Sequence, residues 1–147
     1  RVRTWREIEQ LNDGSGGAVT TVFEVARPDR LRYRTASGSE AVIIGAVRFS
    51  RDPGGTWSRD QLPQPIALEG PYVSYLDGAT GVRFGAQDRC AADSCRIVLW
   101  ALPSGQAQFA AWVGRSGRIY QVAMAAPAHY MISRVDRLDA PLRITPP

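Results

Sequence analysis

Apolar and polar residues alternate along most of the chain, which is the pattern of β-strands with one buried face. The clearest run is Asp29–Thr35, where Leu31 and Tyr33 lie on one side and arginines occupy the other. Such alternation is typical of an antiparallel sheet with one solvent-facing side. Comparable runs predict further strands over residues 19–25, 41–44, 47–51, 96–102, 107–113, 118–125 and 130–138.

Turn residues separate several of these strands. Gly45-Ala46 lies between two apolar runs and predicts a tight hairpin, because glycine adopts the backbone angles that two-residue turns require. Asp52-Pro53-Gly54-Gly55 predicts a second turn. The segment Leu62–Pro71 contains three prolines, which lack the N–H group that a central strand donates, so it is predicted to lie outside the sheet.

Two segments carry the signature of short helices. In Val2–Leu11 every third residue is apolar and Asn12-Asp13-Gly14 then breaks the pattern, so a helix is predicted that ends there. Pro71–Gly78 has proline at the first helical position and glycine just past the last one, with Tyr72 and Tyr75 on a common face. The chain is therefore predicted to be a single α+β domain, mostly β, spanning residues 1–147.

The two cysteines, Cys90 and Cys95, are separated by small and polar residues and are followed by an apolar run. This arrangement predicts the tip of a hairpin, where the flanking side chains come within disulfide distance. The bond contributes about 2 kcal/mol in the chain-entropy model and indicates an oxidising compartment. Two free thiols, or half of a metal site, are the alternatives.

Composition indicates a globular domain and narrows its context. The chain has 147 residues, of which 44% are hydrophobic and 22% charged, enough to bury one core. No apolar run approaches the roughly 20 residues that span a bilayer. The chain begins at Arg1 without a methionine or a signal-peptide pattern, so it is expected to be a fragment of a longer exported or membrane-anchored protein.

Catalytic motifs are weak, and the chain is predicted not to be an enzyme. The segment Asp13-Gly14-Ser15-Gly16-Gly17 resembles the active-site serine motif of trypsin-like proteases, but two of its residues are transposed. The single histidine, His129, follows this motif, whereas that family requires the histidine first. A phosphate-binding loop is equally unsupported, because all 18 basic residues are arginine and such a loop needs a lysine.

Met124, His129 and Met131 form a candidate metal site. Thioether and imidazole ligands favour Cu(I), and a turn between the two methionines brings the three side chains to the ends of neighbouring strands. The alternative is that both methionines fill gaps in the core while His129 caps the turn. No other cofactor is predicted.

Five arginines mark the outer side of the predicted sheet, in a chain with a net charge of +4. They are Arg30, Arg32, Arg34, Arg48 and Arg51. A solvated basic face, contact with anionic lipid headgroups and binding of nucleic acid are the alternatives. Nucleic acid is the least favoured, because a stacking platform needs aromatic residues on the same face, and strand alternation puts Tyr33 and Phe49 opposite their arginine neighbours. No nucleic acid partner is predicted.

Aromatic residues are spread over the strands and both predicted helices. In a closed core they pack against one another, whereas in a curved sheet covered by a helix they line a cavity for an apolar ligand. The sequence alone leaves these two alternatives open. The predicted ligand contacts are Trp5, Phe23, Tyr33, Phe49, Tyr72, Tyr75 and Trp112.

The order of motifs resembles the LolA/LppX-like superfamily of bacterial envelope lipoprotein and lipid carriers. The resemblance rests on residues 27–33 (Arg-Pro-Asp-Arg-Leu-Arg-Tyr), 42–45 (Val-Ile-Ile-Gly) and 53–57 (Pro-Gly-Gly-Thr-Trp). It implies a curved, half-open antiparallel sheet, a half-barrel whose concave side is covered by short helices and accepts acyl chains. Leu62–Pro71 and the Tyr72 helix are then lid elements.

The tail of the chain, residues 124–131 and 140–147, is similar to a subgroup found in extracytoplasmic parts of bacterial membrane proteins, including CopD-like copper-resistance proteins. The resemblance implies a location in the periplasm or on the outer face of the cell membrane, and a membrane-anchored parent protein. The predicted function is a non-catalytic module that binds a lipid, an acyl chain or a lipoprotein. The alternative is a structural or sensory domain of a membrane transporter, with copper held by Met124, His129 and Met131.

Overall fold

Strands account for most of the structure, a computed structural model that describes residues 2–90, 93–103 and 106–147. Within these ranges the chain forms eleven strands and one short 3₁₀ helix, Val73–Leu76. The strands are β1 (Thr4–Asn12), β2 (Ala18–Ala26), β3 (Arg30–Thr35), β4 (Glu40–Ile44), β5 (Val47–Arg51), β6 (Ser58–Gln61), β7 (Thr80–Cys90), β8 (Asp93–Ala101), β9 (Gln108–Gly114), β10 (Ile119–Ala126) and β11 (His129–Leu138).

The strands pair in the order β6-β5-β4-β3-β2-β1-β11-β10-β9-β8-β7, in one antiparallel sheet. Most neighbours in the sheet are also neighbours in sequence, since short turns connect successive strands into hairpins. At the predicted turn Gly45-Ala46, Ile44 lies opposite Val47, and Gly45 has a φ of 60°, in the left-handed region that glycine adopts without steric cost. The mostly-β fold class is confirmed.

The helix predicted over Val2–Leu11 is wrong, because this segment is strand β1. β1 lies between β2 and β11, so its backbone N–H and C=O groups find partners on both sides. A short isolated helix is only marginally stable in water and offers no comparable gain. The side chain of Arg6 on β1 also pairs with Asp136 on β11. Tertiary pairing therefore overrides the apolar spacing.

The second predicted helix is reduced to a single 3₁₀ turn. Tyr72, the residue before it, has φ 63° and ψ 7°, a left-handed conformation that is incompatible with an α-helix starting at Pro71. Val73–Leu76 is the only complete helix in the described part of the chain, so the expectation that short helices cover the sheet is wrong. No helix among the described residues has both the length and the apolar character needed to cross a bilayer.

Two compact units divide the chain, each with its own buried side chains. Unit 1 contains the chain up to Glu9, Val19–Gly70 and Asp136–Pro147. Unit 2 contains Gln10–Ala18 and Pro71–Val135. The buried side chains include Trp5, Val25, Ala41, Val42, Ile43 and Ile144 in unit 1, and Tyr72, Trp100, Phe109, Ala111, Val122 and Met131 in unit 2.

A disulfide joins Cys90 and Cys95 in unit 2, with 5.8 Å between their Cα atoms. Cys90 ends β7 and Cys95 lies near the start of β8, so the predicted hairpin is present, and both side chains are buried. The predicted tip of the hairpin includes residues 91 and 92, which lie outside the described residues. The disulfide replaces the alternatives of two free thiols or half of a metal site.

Candidate functional site

Three of the predicted ligand contacts, Trp5, Phe23 and Tyr33, lie on one face of unit 1. In the β2–β3 pair, Phe23 lies opposite Tyr33 and Val25 lies opposite Leu31. Opposed residues of antiparallel strands point to the same side of the sheet. The rings of Phe23 and Tyr33 have 6.0 Å between their centroids and are tilted, which is a favourable aromatic contact.

Trp5 of β1 is the third predicted contact on this face. The backbone N–H of Arg27 donates to the carbonyl oxygen of Arg3 at 2.9 Å. Directly opposed residues of an antiparallel pair exchange such bonds, so Trp5 lies opposite Val25. We call this surface the aromatic face; its members are Trp5, Phe23, Val25, Leu31, Tyr33, Ala41 and Ile43.

The indole N–H of Trp5 is buried and donates to no acceptor in the described part of the chain. The whole residue is only 4% exposed, so bulk water does not solvate this group. Leaving a buried donor unpaired costs roughly 1–3 kcal/mol. Buried polar groups are nearly always paired, so this N–H is suited to an acceptor other than the described residues, such as an oxygen of a ligand or of water.

A half-buried carboxyl group accompanies the aromatic face. Glu9 follows Trp5 by four residues on β1, and strand alternation places both side chains on the same side. Burial raises the pKa of the Glu9 carboxyl above its ordinary value. Phe23, Leu31 and Tyr33 are also half-buried rather than enclosed. Apolar side chains that remain accessible beside a few polar groups suit an amphiphilic ligand.

Phe49 does not belong to the aromatic face. It lies opposite Val42 on β4, and Val42 in turn lies opposite Arg32 on β3. Tyr33 lies opposite Ala41, the neighbour of Val42, so Phe49 and Tyr33 point to opposite sides of the sheet. Alternation along one strand does not show which residues of the neighbouring strand point to the same side. That depends on the register in which the two strands pair.

Four of the five arginines predicted to lie together share the opposite face of unit 1. They are Arg30, Arg32, Arg34 and Arg51. Arg48 is the exception, because it lies opposite Ile43 and pairs with Asp60 on the side of the aromatic face. The prediction of one arginine face is therefore wrong for Arg48.

Ion pairs occupy much of this arginine-rich face. The side chain of Glu40 is 10% exposed and accepts hydrogen bonds from Arg34 and Arg51, with 2.7 Å between Arg51 Nη2 and Glu40 Oε2. Burial raises the pKa of Glu40, but the hydrogen bonds from Arg51 and Arg34 outweigh it, so that the pKa is lowered overall. Arg32 pairs with Glu24 at 3.4 Å. The face is partly neutralised by its own carboxylates.

In unit 2 the 3₁₀ helix and the residue before it pack aromatic side chains onto the sheet. The Tyr72 hydroxyl donates to Ser133 Oγ at 3.0 Å, and the Tyr75 ring lies 5.5 Å from that of Phe109. The indole N–H of Trp100 donates to the carbonyl oxygen of Tyr75 at 2.9 Å. The rings of Trp100 and Phe109 stack at 5.0 Å. We call Tyr72, Tyr75, Trp100 and Phe109 the tyrosine cluster, and its rings pack as a core.

Trp112, another predicted contact, lies away from the tyrosine cluster. It follows Phe109 by three residues on β9, so the two side chains point to opposite sides of the sheet. Its indole N–H donates to Asp88 Oδ2 at 2.8 Å, which lowers the pKa of the Asp88 carboxyl. Trp100 was missed as a cluster member, because the apolar run Ile97–Trp100 has no alternation to distinguish its faces. Phe109, on the next strand, was missed as well.

Pairing of β10 with β11 places Met124 directly opposite Met131, and His129 opposite Ala126 on the same face. Met131 is 3% exposed, and its Sδ accepts a hydrogen bond from the Tyr75 hydroxyl at 3.7 Å. His129 is exposed. The described residues contain no group of three His, Cys, Asp or Glu side chains that could hold a metal ion. The register thus brings the three predicted copper ligands near one another, while Met131 also serves as a core residue.

The glycine-rich loop after β1 has a structural explanation. Oδ1 of Asp13 accepts hydrogen bonds from the backbone N–H groups of Ser15 and Gly17 and from the Ser15 hydroxyl. These bonds hold the pKa of Asp13 below its ordinary value. A serine that donates directly to an aspartate is not arranged as in a catalytic triad, where a histidine lies between them.

A cleft of about 330 Å³ lies beside the disulfide in unit 2. Its walls include Gln87, Ser94, Arg96 and Arg115, and none of the predicted ligand contacts lines it. None of its seven lining residues is aromatic and two are arginines, whereas sites for apolar ligands are lined mainly by hydrophobic and aromatic side chains. The aromatic face is therefore the better candidate site.

Comparison with solved structures identifies the fold. The lipoprotein LppX of Mycobacterium tuberculosis is similar with a TM-score of 0.71 and 9% sequence identity, over 98% of this chain and 90% of LppX. LprF of Mycobacterium bovis has a TM-score of 0.66 and 8% identity, over 99% of this chain and 90% of LprF. An uncharacterized conserved protein of Thermus thermophilus has a TM-score of 0.55 and 9% identity, over 98% of this chain and 80% of its own.

No protein-family model matches the sequence, and no curated protein matches it. At identities this low, the similarity is one of fold. The predicted resemblance to LolA/LppX-like proteins is confirmed at that level, with LppX and LprF as the structural relatives.

Proposed function

We propose that this chain is a non-catalytic binding module for a hydrophobic or amphiphilic ligand, held on the aromatic face of unit 1. Trp5, Phe23 and Tyr33 are the proposed contacts. The superfamily that the sequence resembles accepts acyl chains on one side of such a sheet, and the fold agrees with that resemblance. The remaining predicted contacts are left out of the site, because Phe49 faces the arginines and the others lie in unit 2.

The observation that carries the proposal is the buried indole N–H of Trp5, which donates to no acceptor among residues 2–90, 93–103 and 106–147. A pure hydrocarbon offers no acceptor, whereas the ester or carboxyl oxygen of an acylated ligand does. Phe23 and Tyr33 on the same face supply apolar surface for the chain beyond that oxygen. The proposed ligand is therefore a lipid or acyl chain with an acceptor oxygen near its polar end.

We place the module outside the cytoplasm, in a membrane-anchored or exported parent protein. Disulfides persist in oxidising compartments, and Cys90 and Cys95 form one. LppX, which has the same fold, is a lipoprotein. Both observations support an envelope location.

Replacing Trp5 with phenylalanine tests the role of the indole N–H directly. Trp5→Phe keeps an aromatic ring but removes the donor, so binding of a long-chain fatty acid methyl ester is expected to weaken about 2- to 10-fold. Binding of an alkane of the same chain length is expected to change less, because the alkane accepts no hydrogen bond. Displacement of a fluorescent fatty acid measures both affinities.

The matched control is Trp112→Phe, which removes an indole N–H from unit 2 and should leave both affinities as in the wild type. Native mass spectrometry of gently purified wild-type protein should also show a co-purified lipid. A protein that carries no lipid and binds neither probe contradicts the proposed function. An equal loss for ester and alkane contradicts the hydrogen bond to Trp5.

A second candidate function is copper binding in a transporter domain, which the direct opposition of Met124 and Met131 favours. Cu(I) accepts two thioethers and an imidazole at close range. His129 is exposed and so is accessible to a metal ion. The hydrogen bond from Tyr75 to Met131 competes with this role.

Cu(I) titration of the wild type and of Met124→Leu tests this candidate. Leucine keeps most of the volume of methionine but removes the thioether, so the affinity is expected to fall at least about tenfold while the fold is retained. His129→Gln should give a loss of similar size. Equal affinities in the wild type and both variants eliminate copper binding at this site.

A further inference from the structure

Exposed apolar side chains concentrate in one stretch of unit 2. Among the described residues six large apolar side chains are exposed, and four of them lie between residues 73 and 84. Val73 and Leu76 of the 3₁₀ helix are 39% and 47% exposed, and Val82 and Phe84 of β7 are 64% and 72% exposed. We call these four residues the apolar rim. Scattered exposed hydrophobics are ordinary, whereas exposed apolar residues on one side of a sheet mark an interaction surface. Phe84 lies opposite Val98, which points to the same side as Trp100, and the N–H of Trp100 donates to Tyr75 of the 3₁₀ helix, so Phe84 and this helix lie on the same side of the sheet.

The backbone of β7 is poorly suited to pairing with a strand of another molecule. β7 is the last strand of the sheet in the described part of the chain, and a regular edge strand invites such pairing. However, its register against β8 shifts between Thr80 and Arg83 and again between Phe84 and Gln87. Irregularities of this kind interrupt the row of hydrogen-bonding groups. Edge-to-edge pairing with a second copy is therefore disfavoured.

A folded protein partner is also poorly matched to the apolar rim. Stable protein interfaces use roughly 20–30 residues on each side and need complementary shapes. The rim offers four large apolar side chains. A lipid bilayer requires neither a large area nor shape complementarity, because its acyl chains adapt to whatever is inserted.

Arginine side chains accompany the apolar rim. Arg96 stacks its guanidinium over Phe84, with 5.3 Å from Cζ to the ring centroid. Arg89 on β7 is exposed and lies opposite Ser94, which points to the same side of the sheet as Arg96. Asp88 on the same strand lies opposite Cys95 and therefore points to the other side of the sheet, where its carboxylate accepts a hydrogen bond from Trp112. Apolar side chains flanked by guanidinium groups suit the boundary between acyl chains and anionic headgroups.

We propose that the apolar rim docks this protein onto the surface of an anionic phospholipid bilayer. Val82 and Phe84 insert between the headgroups, Val73 and Leu76 add to the inserted surface, and Arg89 and Arg96 contact lipid phosphates. This contact is separate from the ligand site on the aromatic face, since it uses residues of unit 2 alone.

Co-sedimentation with vesicles tests the docking proposal. The wild type is expected to bind vesicles of phosphatidylcholine with about 30% phosphatidylglycerol, and to bind pure phosphatidylcholine at least about threefold more weakly. The double variant Val82→Ser/Phe84→Ser is expected to lose about tenfold or more in partitioning to the anionic vesicles, because it removes the most exposed apolar surface. Both positions are exposed, so circular dichroism should show an unchanged fold.

The chain provides a matched control in its two other exposed hydrophobics. Val19 and Tyr130 are each 50% exposed, and Val19→Ser/Tyr130→Ser removes the same kind of surface elsewhere. This control should bind anionic vesicles within about twofold of the wild type. Equal losses in the two double variants, or a wild type that does not bind vesicles, overturn the proposal.

Hydrogen exchange provides a second readout that does not depend on any variant. Amides of residues 80–90 should exchange more slowly in the presence of anionic vesicles, while those of β6, the strand at the other edge, should not change. Light scattering of the lipid-free protein measures its molar mass and so tests the alternative that the apolar rim binds a second copy of the chain. A dimer that Val82→Ser/Phe84→Ser dissociates would assign the rim to self-association instead.

Discussion

Phe109→Ala is expected to lower the free energy of unfolding by about 3–5 kcal/mol. Phe109 is 4% exposed, stacks on Trp100 at 5.0 Å and contacts the ring of Tyr75 at 5.5 Å. Removing its ring leaves a cavity under the 3₁₀ helix that these rigid neighbours cannot fill. Urea denaturation followed by circular dichroism measures the change, and the melting temperature should fall by roughly 6 °C or more.

Phe84→Ala is the matched control for this experiment. The same ring is removed, but Phe84 is 72% exposed, so the loss of stability should stay below about 1 kcal/mol. If the two variants lost the same stability, the tyrosine cluster would not be the core of unit 2. Tyr72 and Tyr75 would then again be candidates for ligand contacts.

Glu40→Gln is expected to lower the stability by about 2 kcal/mol at pH 7, because it removes the carboxylate shared by Arg34 and Arg51. The folded-state pKa of Glu40 lies below its ordinary value of 4.5. An acid with a lowered pKa contributes stability above its unfolded pKa and loses that contribution as the pH falls through the folded pKa. The wild type and the variant should therefore converge in stability at pH values below 4.5.

Asp60→Asn serves as the comparison, since Asp60 also pairs with an arginine but has 44% of its side chain exposed. Exposed ion pairs contribute little, so its effect at pH 7 should be clearly smaller than that of Glu40→Gln. A difference between wild type and Glu40→Gln that stays constant from pH 7 to pH 3 would mean that the charge of Glu40 is not what stabilises unit 1.

The sequence predicted which aromatic residues contact a ligand, but it did not predict which of them lie on the same face of the sheet. Trp5, Phe23 and Tyr33 were predicted as contacts and lie on one face, whereas Phe49 lies on the other. Each strand shows which residues alternate, but a shift of one residue between paired strands reverses the face. The sequence gives no signal that the N–H of Trp5 lacks an acceptor among the described residues, because this depends on what surrounds the ring in three dimensions.

For the candidate copper site too, the sequence predicted which residues lie close together but not all of their contacts. Met124, His129 and Met131 were grouped from their spacing around a turn, and the register of β10 and β11 does bring them together. The involvement of Tyr75 with Met131 joins residues 56 positions apart in sequence. No local pattern reports such a contact.

Alternation and turn chemistry by themselves determined most of the strands, the Gly45-Ala46 hairpin and the cysteine hairpin, since period-two patterning and glycine turns act over a few residues. Tertiary structure alone decided that residues 4–12 form a strand, because the backbone partners of β1 come from β2 and β11. It also decided which aromatic rings share a face and which are buried together. The face on which a ring lies and its burial depend on strand register and on contacts between residues distant in sequence. Both are determined by the free energy of the whole fold and not by any local pattern.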